Sequence, residues 1–179
     1  MQIVTITDED IQLYGGWYKE ANTEFTVRYG DNVDLFIDIF AALSPRQHIV
    51  RNYRQARVVF YEYMMGVLDT SKLMYTHRPN VLRSINRQPL SGNKVQRFAE
   101  NLKGNLIPVT VDTWIAKGYG IDNGKLATKV YREIESDIQE QAQIHHCYPA
   151  EYQATLWQKI RQANGKQIIS LTNIIRRTE

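Results

Sequence analysis

Apolar residues recur at helical spacing along most of the chain. Val33, Phe36, Ile37 and Phe40 fall at i, i+3, i+4 and i+7, the stripe of an amphipathic helix, with Asp31 or Asn32 placed to cap it. Ser44-Pro45 predicts a new start, Ser44 as N-cap and Pro45 in the first turn, for a helix carrying Ile49, Tyr53, Ala56, Phe60 and Tyr63 inward and ending at Gly66. A polar stretch over residues 69–79 leads to a short helix at 80–87, a turn at Pro89-Leu90-Ser91-Gly92, and a helix over 94–102 closed by Lys103-Gly104. Asp112 opens the next helix, Leu126, Val130, Ile134, Ile138 and Ala142 mark a long one, and Pro149 begins another that Gly165 stops. Residues 1–7 and 168–174 are β-branched enough for short strands or packed coil. With no alternation of strands and helices and no internal repeat, the expected class is all-α.

Composition adds little until charge is divided along the chain. The 179 residues are 43% hydrophobic and 23% charged, enough for one globular domain or two small lobes. One cysteine, Cys147, excludes a disulfide framework and a four-cysteine metal site. No stretch approaches a membrane span and no secretion signal opens the chain, so an intracellular protein without a membrane partner is expected. Residues 1–45 carry 2 basic and 8 acidic side chains, whereas residues 46–97 carry 10 basic and 2 acidic. A basic segment of that density suits a polyanion such as DNA or RNA; the alternative is a basic face neutralised by the acidic N-terminal segment within the fold.

Candidate chemistry is sparse. His145-His146-Cys147 crowds metal-ligand types together, but adjacent residues diverge on a helix end and no partner pair at ligand spacing lies elsewhere, so no metal is expected. Cys147 has nothing nearby to activate it beyond a neighbouring histidine. Gly15-Gly16 and Gly118–Gly120 lack the Lys-Ser/Thr of a phosphate loop. Tyr53, Tyr61, Tyr119 and Trp114 could stack on a base, although core packing is the commoner use.

The stretch from Pro89 to Ile115 says more. The Ser91-Gly92 turn leaves backbone N–H groups free at a helix start, where an anion such as a phosphodiester can sit. The same helix end disfavours a second positive charge and lowers the pKa of Lys94 in its first turn, which makes the amine a candidate Schiff-base nucleophile. Asp112 stands 18 residues later. A carboxylate there can orient an amine or stabilise a cationic centre; equally, Asp112 can be a plain N-cap and Lys94 a surface lysine.

These residues resemble the helix-hairpin-helix DNA glycosylases of the endonuclease III superfamily. Their hairpin reads Leu-Pro-Gly-hydrophobic-Gly-x-Lys, matched here by Pro89, Gly92 and Lys94, and a Val-Asp-Thr segment follows one helix later, matched by Val111, Asp112 and Thr113. Leu43-Ser44-Pro45-Arg46-Gln47 with Asn52 and Ala56 is similar to the family's Leu-Ser-x-Gln segment. The resemblance implies a two-lobed fold, with one lobe at 31–106 and a discontinuous one at 1–30 plus 107–179. It also implies a DNA glycosylase, with or without an AP-lyase step, acting on double-stranded DNA after base flipping and needing no cofactor. Lys94 takes the nucleophile's place and Asp112 that of the essential aspartate. Ser91, Gly92 and Asn93 would meet a phosphate, Arg51 and Arg97 would contact the backbone, and Arg46 or Gln47 would fill the gap left by the flipped nucleotide. Leu90 in place of the first hairpin glycine implies a less close approach to phosphate, and the family's four-cysteine cluster is absent. A non-catalytic DNA-binding module and a thymine-hypermodification enzyme on the same fold remain alternatives.

Overall fold

The computed structural model describes residues 4–121 and 126–178, and among these residues the chain is all helical. Ten α-helices follow in order: α1 (Asp8–Tyr14), α2 (Trp17–Tyr29), α3 (Val33–Ala42), α4 (Ile49–Met64), α5 (Arg78–Ile85), α6 (Asn93–Leu102), α7 (Thr113–Gly118), α8 (Thr128–Ile144), α9 (Pro149–Ala163) and α10 (Leu171–Arg177). Single 3₁₀ turns at Gly30–Asn32 and Thr70–Lys72 complete the description. Val4–Thr7 is coil and 168–170 leads into α10, so the β-branched segments form no strand among the described residues; residues 1–3 of the first lie outside them.

Two apolar cores organise these helices. The first centres on α3, which is buried over most of its length: Leu35, Phe36, Ile37, Ile39 and Phe40 are enclosed by Phe25 and Tyr29 of α2, Tyr53 and Phe60 of α4, Val81 of α5 and Phe98 and Leu102 of α6. Aromatic rings interlock there, Tyr29 stacking on Phe36 at 3.7 Å and Phe25 meeting Phe36 edge-on at 5.0 Å. The second core joins Ile6, Val109, Val111 and Ile115 to Tyr131, Ile134 and Ile138 of α8 and Tyr152, Leu156 and Ile160 of α9. Residues 17–29 and 171–177, expected with the second lobe, bury Tyr18, Phe25, Leu171 and Ile175 in the first core. Helix α9 touches both cores, through Ala150 and Ala154 on one side and Tyr152, Leu156 and Ile160 on the other.

One expected boundary moves. Helix α4 begins at Ile49, capped by His48, whose Nδ1 accepts from Val50 N at 3.4 Å. Ser44 instead turns back on α3, donating its hydroxyl to Ala41 O at 2.7 Å. Pro45 cannot therefore open α4, because residues 44–48 form a separate loop in which Arg46 adopts φ +57°.

Candidate active site

The hairpin is built by α5, the 86–92 connection and α6. Asn80 brackets it, its Oδ1 accepting from Ser91 N at 2.7 Å and its Nδ2 donating to Ser91 O at 3.0 Å. Gln96 Nε2 donates to Leu90 O at 2.6 Å. Leu90 is buried against the first core and Ser91 is exposed, so the apolar anchor sits one position earlier than in the hairpin this segment resembles. Gly92 caps α6 at φ +93°, a conformation that a side chain would strain. Gly92 and Asn93 are exposed as well, and no side chain caps the helix start.

Lys94 is half-buried as a residue, but its amine lies inside the protein. Nζ donates to Ser44 Oγ at 2.6 Å and stands 4.8 Å from the centre of the Phe98 ring. Burial strips the ammonium of water and pulls its pKa down to about 8, against an opposing pull from the negative charge of Asp112. The two expected catalytic residues are thus close enough to interact electrostatically, although they belong to segments attached to different cores.

Asp112 is also the N-cap of α7. Its Oδ1 accepts from Trp114 N and Ile115 N, both at 2.9 Å, and its Oδ2 accepts from Trp157 Nε1 at 2.9 Å. Two tryptophans adjoin this carboxylate, Trp114 following it and Trp157 bonding to it, and Trp17 lies 6.3 Å from Trp157 and stacks on Phe98 at 6.4 Å. The Arg161 guanidinium is buried between Trp157 at 4.7 Å and Trp114 at 5.3 Å. Its pKa is lowered by burial and supported by Asp112. The negative charge of Asp112 thus acts on both Lys94 and Arg161, and the half-buried indoles of Trp114 and Trp157 flank Arg161.

The sequence pattern misses Trp17, Trp157, Arg161 and the role of Ser44, all of which reach the site from distant parts of the chain. Arg46 and Arg51 are exposed and free of carboxylates among the described residues, Arg46 two residues from Ser44. Gln47 Nε2 turns inward, donating to Gln55 Oε1 at 2.5 Å, which leaves Arg46 as the outward residue of that pair. Arg97 departs from expectation: its Nε lies 2.8 Å from Glu135 Oε1 and its NH2 3.3 Å from Oε2, so it ties α6 to α8 and is not a free phosphate contact. Of the aromatic candidates, Tyr53 is core, Tyr119 donates to Asp137 Oδ2 at 2.6 Å, Tyr61 is exposed on α4, and Trp114 alone borders the site.

Elsewhere, His145 pairs with Asp8 at 2.6 Å, and no group of three or more metal-ligating side chains occurs among the described residues. Burial and the Glu151 charge push the Cys147 thiol up to about 11, which keeps it protonated at neutral pH. A cleft of about 670 Å3 opens on the second core, lined by Ile6, Tyr119, Ile134, Asp137 and Tyr152 among others, away from Lys94. No described helix is long and apolar enough to cross a membrane.

Fold and site define a protein that is all helical over its described residues, with a buried lysine amine that feels the charge of a capping aspartate. A family model described as a family of unknown function, DUF7178, matches residues 4–164, and the chain belongs to that family. No curated protein and no solved structure matches significantly.

Proposed function

We propose that this protein is a DNA glycosylase on a two-lobed helix-hairpin-helix fold, excising a damaged or modified base from double-stranded DNA through Lys94 and then cleaving the strand as a lyase. The observation that carries the reading is the buried amine of Lys94, held by Ser44 and coupled to Asp112 from the opposite core. A lysine near pKa 8 has a sizeable neutral fraction at physiological pH, which an ordinary lysine lacks. Asp112 has its oxygens engaged by three N–H donors, which suits a fixed negative charge beside a developing oxocarbenium centre better than a proton acceptor.

The chemistry balances on these groups. The Nζ lone pair attacks C1′ as the C1′–N bond breaks, and its electron pair leaves with the base. The base takes up a proton, and the attached nitrogen gives one to solvent. Opening of the C1′–O4′ bond, with a proton to O4′, leaves a C1′=N iminium on Lys94; abstraction of a C2′ proton then expels the 3′ phosphate. The half-buried faces of Trp17 and Trp157 offer an everted base something to stack on. Outside the site, Arg46, Arg51, Arg54 and Arg87 are exposed and make no ion pair among the described residues, while the acidic N-terminal segment pairs with Lys103, His145, Lys159 and Arg176. That division supports a basic face left for the phosphodiester backbone.

Borohydride trapping over duplexes carrying different lesions and hypermodified pyrimidines tests the reading. A protein–DNA adduct with one or more of them is expected, and it disappears in Lys94→Ala. Salt-sensitive duplex binding without trapping on any substrate would replace the enzyme with a DNA-binding module.

A further inference from the structure

The 44–48 loop is clamped from three sides. Ser44 N and Oγ both donate to Ala41 O, at 3.1 and 2.7 Å, the buried His77 ring bonds Pro45 O through Nε2 at 2.8 Å, and Asn52 Nδ2 donates to Phe40 O at 3.1 Å just upstream. A serine hydroxyl has one hydrogen. With that hydrogen turned to Ala41 O, lone pairs of Ser44 face the amine, and Lys94 is the donor in their 2.6 Å contact.

This constrains the neutral amine. It has two N–H bonds and one lone pair; one N–H is held by Ser44, and the electron-rich face of Phe98, 4.8 Å away at its centre, accepts N–H and repels a lone pair. The lone pair is left to the remaining direction. We infer that Ser44 is a positioning residue that holds one N–H of Lys94 and thereby fixes where the amine's lone pair points, toward the sugar carbon it attacks. The inference rests on the glycosylase reading for the identity of the electrophile. The geometry of amine and hydroxyl stands independently.

Few other charges act on this amine. Asp112 faces it from the start of α7; Arg161 of α9 acts on Asp112, Asp38 of α3 is held by Lys103, and Glu135 of α8 is held by Arg97. Removing the Ser44 acceptor takes a hydrogen bond from a buried ammonium, so the amine releases its proton at lower pH. Ser44→Ala should therefore make Lys94 more neutral and yet less productive, a combination that loss of packing does not produce.

The experiment has two arms. Dimethylation of Lys94 by formaldehyde and borane across pH 6–10, read by peptide mass spectrometry, reports the neutral amine without needing DNA. Trapping on the duplex selected above reports aimed attack. For Ser44→Ala, labelling at pH 7 should rise severalfold with its midpoint moved to lower pH, while trapping falls at least tenfold. Ser44→Thr should restore both, since threonine keeps the hydroxyl and suits the extended backbone that a residue before proline favours. An unchanged labelling profile, trapping at the wild-type rate, or both arms falling together with thermal stability would each overturn the inference. If the wild type traps on no duplex, the glycosylase reading fails and with it the sugar as target; the labelling arm then decides Ser44's hold on the amine by itself.

Discussion

At Lys94 a single side chain serves two opposed ends. Its folded pKa of about 8 lies below the ordinary 10.5, so the protonated form opposes folding. The cost is present in full below pH 8, shrinks between 8 and 10.5, and vanishes above that range. Lys94→Met should accordingly raise stability at pH 7 by about 1–2 kcal/mol, allowing for the residue's partial exposure, and the gain should fade toward pH 10.5 in denaturant titrations. Asp112→Asn keeps the Oδ1 cap but turns an amide N–H2 toward the Trp157 N–H. About 1 kcal/mol of stability should go, while trapping slows by about 10²–10³-fold. A large loss of stability with an unchanged trapping rate would reduce Asp112 to its cap. Lys94 and Asp112 were legible because motif spacing carries them. Trp157 and Arg161 lie 45 and 49 residues beyond Asp112, on the α9 face turned toward α7, and no local pattern announces that contact. Ser44 was legible only as a helix start, because its hydroxyl's partners are set by the loop's return on α3.

Among the elements, those with a one-sided apolar stripe match their expected positions: α3, α6, α8 and α9 fall within a few residues of the pattern. Helix α2 escaped it. Its buried residues Tyr18, Ala21, Phe25 and Tyr29 do keep helical spacing, but the exposed Val27 and the half-buried Trp17 blur the stripe. Helix α10 was hidden by β-branched residues that read equally well as strand. The contact between α7 and α9, which places Asp112 beside Trp157, depends on Gly118: a Cβ there would lie 2.2 Å from Ile160 Cδ1. Gly118→Ala should cost about 1–3 kcal/mol in thermal or chemical unfolding, and Ile160→Val should recover part of it. A neutral Gly118→Ala would mean that the two helices are not packed this closely.

For the whole molecule, the division of charge decides which cations remain for a ligand. Acidic side chains of the first 45 residues find partners mainly beyond residue 97, and Arg51 and Arg54 of α4 stay exposed, whereas the half-buried Arg57 donates to Thr178 O. Each of Arg51→Ala and Arg54→Ala should lower the slope of log K for duplex binding against log salt by about 0.9, as for one phosphate contact. Arg97→Ala should leave that slope unchanged and cost about 1 kcal/mol of stability, because Arg97 belongs to Glu135. Charge counted along the chain marks the basic segment but not that Arg97 within it is held by a carboxylate, since Glu135 lies 38 residues away on α8. The whole account turns on where covalency forms. Proteolysis of the borohydride-trapped complex followed by peptide mass spectrometry locates it: the account predicts a sugar remnant on Lys94 and on no other amine, and a remnant on any other lysine, or an undiminished adduct in Lys94→Ala, would contradict it.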